Sequence, residues 1–252
     1  MSTGILRFKY RFVFGNGEQK IFRIAIRRDD LSLIHEAAQP YPEWTRLNHV
    51  QCPNCPLSEA DTPYCPAALK LSPIIDAFKQ TVSYDEVDIT IESNERFYVK
   101  HDSVQQGLSS MIGLHMVTSG CPILEKLKPM VRHHLPFATV EETKYRALSM
   151  YLLAQYFRYR QGDTPDWNLH GLMAIYHDIS ILNQHFCRRL STVIEKDASV
   201  NAFVVLNCFA DSVSLSLDGN MLSDLEHLFQ AYLTPSTTFP VSAHNHALHQ
   251  AP

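Results

Sequence analysis

Between Ile5 and Phe14 the chain alternates, with Phe8, Tyr10, Phe12 and Phe14 on one side and Arg7, Lys9, Arg11 and Val13 on the other. A period of two puts one face in a core and the other in water, so the stretch is expected as a half-buried strand. Gly15-Asn16-Gly17 is a tight-turn signal, and Gln19 to Arg28 reads as the returning strand of a hairpin. Short strands are expected around 32–34 and 44–50, and a second hairpin from Val87–Ile91 and Arg96–Lys100 around "ESNE". From Pro66 the period lengthens: Pro66–Gln80 reads as a helix that Pro73 should kink or divide. Beyond His101 the pattern is helical almost throughout, with helices expected near 104–118, 122–134, 140–161, 168–196, 199–216 and 220–233. Ser103 with Gln106 and Thr139 with Glu142 have capping-box spacing, in which the cap hydroxyl and the later side chain satisfy each other's orphan backbone donors.

The layout is α+β: a small N-terminal antiparallel β-rich part, residues 1–100, packed on a C-terminal mostly α-helical bundle, residues 101–233. The remainder, 234–252, is rich in Pro, Ser, Thr and His without periodicity and is expected to be disordered, its His244, His246 and His249 included.

A chain of 252 residues, 45% hydrophobic, can bury a core without metal or disulfide staples. Its net charge of −4 gives no global attraction to nucleic acid or anionic lipid. Neither a leader-like segment nor an apolar run of membrane-spanning length is present, so a cytoplasmic protein with no membrane association is expected. Thiols stay reduced in that compartment, and the six cysteines are then ligands, reactive thiols or core residues.

Four of the six are followed at once by proline: Cys52, Cys55, Cys65 and Cys121. Cys187 and Cys208 lie inside periodic helical stretches. Four thiolates are what a tetrahedral Zn²⁺ site or an iron–sulfur cluster requires, and Cys52-x-x-Cys55 lets two sulfurs reach one ion from a single turn. Proline is favoured at the first helical position, so Cys65 and Cys121 are expected as N-caps, where free amides and the helix dipole favour a thiolate. His115, His133 and His134 are substitute candidates for the fourth ligand. Pro56 offers no N–H to sulfur where a zinc knuckle usually carries Gly, which favours a [4Fe–4S] cluster over Zn²⁺. Buried structural cysteines beside turn prolines, with no metal, are the competing reading.

Other constellations are thinner. No Glu is followed by His three residues later, which removes the di-iron bundle signature, and no G-x-S-x-G, H-E-x-x-H or P-loop occurs. His170, His177 and His185 share a face of one helix near Asp178 and Asn183, and read more readily as a solvated stripe than as a pocket. "RHHLPFATVEETKYR", from Arg132 to Arg146, is the most chemically dense loop and a place for a ligand pocket, although helix capping explains most of it. Arg7, Lys9 and Arg11, with Arg23 and Arg27 across the hairpin, offer a basic face for nucleic acid, but a solvated sheet face is favoured because the aromatics lie on the opposite side.

"CPNCPL" with its following cysteine resembles the Cys-x-x-Cys-Pro-Leu segment of some iron–sulfur DNA-repair glycosylases over about fifteen residues. "WTRLNHVQCPNCPL", "YCPAALKL", "SGCPILEKLKPMVRHHLPFATVEETKYRALSMYLLAQYF" and "DASVNAFVVL" together resemble a family of uncharacterised bacterial proteins classed as a domain of unknown function, over most of residues 1–215. That resemblance implies a bacterial cytosolic protein and no activity. The expectation is therefore a four-cysteine metal-site protein, an adaptor or sensor with an unidentified protein partner. The alternatives are an iron–sulfur redox or electron-transfer protein and a nucleic-acid-binding regulator.

Overall fold

A computed structural model describes residues 4–34, 39–217 and 225–234. The fold is α+β, as the change of period along the chain requires. Strands β1 (Ile5–Phe14), β2 (Gln19–Arg27), β3 (Glu86–Ser93) and β4 (Phe97–Ser103) form one antiparallel sheet in the order β2-β1-β3-β4. Position 100 lies within β4, and residues 1–215 form one compact unit while residues 216–252 form a second. The helices of the first unit are α1 (Pro66–Phe78), α2 (Val104–Val117), α3 (Lys128–Arg132), α4 (Val140–Arg160), α5 (His170–Leu190) and α6 (Ala198–Leu217), which ends just past its edge. The second unit, as described, contributes a 3-10 turn at His227–Phe229 and a short α7 (Gln230–Leu233). The rest of the 220–233 helix and the 234–252 tail, Thr234 apart, lie outside the described residues.

Alternation decides which face of the sheet is covered. Leu6, Phe8, Tyr10 and Phe12 of β1, Ile24 and Ile26 of β2, and Val87, Ile89 and Ile91 of β3 are all buried. Phe12 meets Phe78 of α1 edge-on at 5.2 Å between ring centroids. The outer face mixes charges: Lys9 sits between Arg23 and Glu92 in the strand register, and its ammonium lies 3.6 Å from the Glu92 carboxylate. His101 of β4 takes Asp88 at 2.8 Å on the same face. A surface whose lysine faces a carboxylate on the next strand is a weak phosphate track.

Several local expectations are corrected. Pro73 does not divide α1, because the Ser72 hydroxyl donates to the Leu69 carbonyl at 3.0 Å, the acceptor that a proline four residues later leaves unfilled. Ser103 caps α2 without a side-chain hydrogen bond, since its amide and hydroxyl both turn to the Asp102 carboxylate. The Thr139–Glu142 capping box of α4 forms as expected, with bonds of 3.1 and 2.8 Å. The 122–134 stretch is a 3-10 turn, Leu124–Leu127, followed by the short α3. The 32–34 and 44–50 segments supply isolated bridges, Ile26 with Leu33 and Arg46 with Tyr64, and a 3-10 turn at Glu43–Thr45. Helix α5 stops at Leu190, six residues early, because the following turn is held elsewhere: the amides of Glu195 and Lys196 bond to the Lys79 carbonyl, and Asp197 accepts from the amide and hydroxyl of Ser83.

Where α2 crosses the sheet there is no room for a side chain at Gly107. A Cβ there would stand 2.7 Å from both Ile89 Cδ1 and Phe12 Cε1. Gly107→Ala is therefore expected to destabilise by about 1–3 kcal/mol through overpacking, although alanine favours helix by ~1 kcal/mol over glycine. Urea unfolding checks this; an unchanged or higher midpoint would show that the helix does not seat so closely.

Candidate functional site

Each of the four Cys-Pro cysteines is placed by a turn whose cause is visible in sequence. Cys52 and Cys55 lie on one turn, closed by the Cys55 amide on the Cys52 carbonyl at 3.0 Å. Cys65 is the N-cap of α1 with Pro66 at the first helical position, as expected, and its amide bonds to the Thr45 carbonyl at 2.8 Å. Cys121 follows Gly120, whose φ of +92° suits a residue without Cβ, and the Cys121 carbonyl receives the amides of Leu124 and Glu125. The cap of the 3-10 turn is nevertheless Ile123 and not Cys121 as expected, because Pro122 and Ile123 form a turn before it. Cys65 and Cys121 are buried, and Cys52 and Cys55 are half-buried. Cys187 and Cys208 sit in α5 and α6.

These segments face one another. The neighbours of Cys55 (Asn54 and Pro56) and of Cys121 (Pro122 and Ile123) line one small cleft of about 200 Å³, closed by Ile175 and Asp178 of α5. Asn54 donates to the Asp178 carbonyl at 3.1 Å and to its carboxylate at 3.2 Å, while the Asn54 side-chain Oδ1 is buried without a partner among the described residues.

The sulfurs sense each other. Burial, and then the nearness of Cys65, Cys121 and Cys55, pushes the Cys52 thiol up to about 12. Burial takes Cys121 up to about 11 against the pull of the Leu124 and Ile123 amides. Cys65 is likewise raised by burial, although the amides of Ala68 and Ala67 favour its anion without forming a full capping hydrogen bond. Crowding of this kind keeps protons on uncoordinated sulfur, whereas a coordinated thiol loses its proton outright. Among the described residues, no group of three or more His, Cys, Asp or Glu side chains is already arranged to hold a metal ion. The four thiols are neighbours rather than a closed coordination sphere.

The sequence reading missed the residue beside them. Arg189 of α5 is 1% exposed. Its Nη1 donates to the carbonyls of Trp44 and Arg46 at 2.8 Å each, and its Nη2 to those of Leu47 at 3.2 Å and Val50 at 3.5 Å. Its Nε is buried with no partner among the described residues, and its charge lies close enough to Cys52 and Cys65 to favour their thiolates. No carboxylate stands within ion-pair distance of it among the described residues. The signal was legible: Arg189 recurs with Leu182 and Phe186 on the inward face of α5, where the helical period calls for an apolar side chain.

The substitute histidines do other work. His134 Nε2 is 2.7 Å from the Tyr10 hydroxyl, with the Phe8 ring edge-on at 5.3 Å. His115 Nδ1 is 2.9 Å from the Met111 carbonyl, and His133 is exposed. His170 and His177 are exposed, as a solvated stripe would be, whereas His185 is half-buried with a buried Nδ1 that has no partner among the described residues, and Asn183 on the same helix is buried. Among the described residues no helix is long and apolar enough to cross a membrane.

Residues 8–230 match the family described as Domain of unknown function (DUF6901), and the chain belongs to it. No curated protein and no solved structure matches the chain.

Burial holds the His134 imidazole down to about 3, against an ordinary 6.5. The unfolded chain therefore takes up this proton first: the contribution to stability is full above about pH 6.5 and is lost as pH falls from there towards 3, at up to ~1.4 kcal/mol per pH unit. The difference in urea midpoint between pH 7 and pH 5 should shrink in His134→Gln, and parallel profiles for the two proteins would contradict this.

Proposed function

We propose that this member of the DUF6901 family is a four-cysteine metal-site protein in which Cys52, Cys55, Cys65 and Cys121 bind one thiophilic centre, with a non-catalytic role as an adaptor or sensor. One observation carries the reading: the thiols of the Cys52–Cys55 turn and of Cys65 lie near Arg189, a buried cation that has no carboxylate partner among the described residues, and Cys121 lies near Cys52, Cys55 and Cys65. A centre of four thiolates carries a charge of about −2 with Zn²⁺. A guanidinium with an unpaired N–H offsets part of the cost of burying that charge, and the charge offsets the cost of burying the guanidinium.

The donor set suits a soft ion, since thiolates select zinc and iron–sulfur clusters over oxygen-loving cations. Binding would draw the half-buried Cys52 and Cys55 inward on their turn. The proline after each cysteine removes the nearest N–H from each sulfur, leaving the amides two and three residues on, after Cys65 and Cys121, as the donors that polarise the site. That pattern departs from a zinc knuckle, and a [4Fe–4S] cluster is our preferred centre, with Zn²⁺ second. The centre would tie the 44–56 loop, the start of α1 and the end of α2 to α5.

Anaerobic purification followed by metal analysis and thiol counting tests this. The expected result is one centre per folded chain, with Cys52, Cys55, Cys65 and Cys121 protected from alkylation while the exposed Cys208 reacts. A cluster would add absorption near ~400 nm, which zinc would not. Cys121→Ser should lose the centre while Cys208→Ser keeps it. Metal-free protein in which all four thiols alkylate as fast as Cys208 would overturn the proposal. Arg189→Lys keeps a charge but not the fork, and should retain the fold while releasing metal to a chelator at least ~10-fold faster than the parent.

A further inference from the structure

The second feature of the molecule lies away from the four cysteines. A cavity of about 200 Å³ opens between α2, the 130–138 loop, the first turns of α4, α5 and α6. Its walls are mainly apolar, with Leu114, Val117, Leu127, Ile179 and Leu206 among them. Polar side chains break that surface, Gln106, Ser109, Ser110, His134 and Thr143 among them, and three on α4 and α5 have hydrogen-bonding capacity to spare. Asn183 is 2% exposed, lines the cavity and has no side-chain partner among the described residues. Arg146 donates through Nη2 to the carbonyls of Met130 and His133 at 3.1 and 2.9 Å, which fixes its head, while Nε and Nη1 have no protein acceptor there. The hydroxyl of Tyr176, a buried residue, has only the Met130 sulfur at 4.0 Å.

An unpartnered amide at that depth is costly, and native interiors rarely leave one unused. The deficit here has a sign. A guanidinium whose Nε and Nη1 are free and which feels Glu142 only beyond ion-pair distance, an amide whose NH2 lacks an acceptor, and a hydroxyl with a poor acceptor leave donors in excess among the described residues. The neighbouring imidazole of His134 does not supply the acceptor, being already engaged with Tyr10. A carboxylate does, and the planar fork of arginine matches its two oxygens. The apolar walls then select the rest of the ligand. A dry cavity of about 150 Å³ is filled by benzene, so one of this size takes a ring or short chain with a few further atoms.

We propose that this cavity is a binding site for a small apolar monocarboxylate, with Arg146 and Asn183 holding the carboxylate and the α2, α5 and α6 side chains enclosing the hydrocarbon body. None of the four Cys-Pro cysteines lines it, so its outcome is independent of whether a metal centre forms.

The test is isothermal calorimetry on the full-length protein with phenylacetate, phenylacetamide and 2-phenylethylamine, which share a ring and differ in charge and hydrogen bonding. Phenylacetate should bind with one-to-one stoichiometry and raise the thermal midpoint, with the amide and the amine at least ~10-fold weaker. Arg146→Gln should abolish that preference. Because Arg146 also braces the 130–133 carbonyls, two further variants leave it in place: Asn183→Leu should weaken phenylacetate, and Ala210→Phe, which fills the cavity from α6, should abolish its binding while keeping the fold. No saturable binding of phenylacetate up to about 10 mM, equal binding of the amine, or full binding to Ala210→Phe would each overturn the assignment.

Discussion

Arg189 carries a charge into the interior and attaches it to the backbone. Four carbonyls between Trp44 and Val50 converge on its two terminal nitrogens, and this segment has no regular strand pairing of its own to hold it. The same segment receives the Cys65 amide on the Thr45 carbonyl and leads within two residues into Cys52. The position of α5 therefore sets where the 44–56 loop lies, and the loop sets where two of the sulfurs lie relative to the helix cap that carries the third. An apolar residue at 189 would leave these buried carbonyls without that donor, each at a cost of about 1–3 kcal/mol, whereas a lysine keeps three N–H groups to meet most of them.

Helix α5 supplies residues to both sites. Asp178 and Arg189 attend the cysteine loop, and Tyr176, Ile179 and Asn183 line the cavity. That division follows from the period of 3.6, which brings 176, 179 and 183 onto one stripe and turns 178 and 189 away from it. The apolar character of the stripe is incomplete at Asn183, and that of the other inward positions is incomplete at Arg189. Both exceptions coincide with the features argued above to need a ligand or a counter-charge.

Much of the fold was readable because one face of each element is committed to the core. The alternation of Phe8, Tyr10, Phe12 and Phe14 fixed β1 and its covered face, although Phe14 at its end is only half-buried, and the Thr139–Glu142 pair fixed the start of α4. Cys65 before Pro66 was readable as a cap for the same local reason. Where local signals compete, the sequence misleads: the Ser103 hydroxyl had a choice between Gln106 and the adjacent Asp102, and a helix expected to run to 196 yields to bonds from its last residues to Lys79 and Ser83. The cavity was half visible, since the dense 132–146 loop lines it, but its other walls come from α2, α5 and α6, which no local pattern brings together. Arg189 is visible as a charged residue at an apolar position, but nothing local distinguishes it from its exposed neighbour Arg188 or ties it to the cysteines.

The central claim concerns four sulfurs around one centre, and X-ray absorption at the metal edge of anaerobically purified protein tests it most directly. The account predicts a first shell of sulfur alone, at about 2.3 Å, with four sulfur neighbours per metal. A shell containing imidazole nitrogen or carboxylate oxygen would contradict it, because it would place Cys121 or one of its fellows outside the centre.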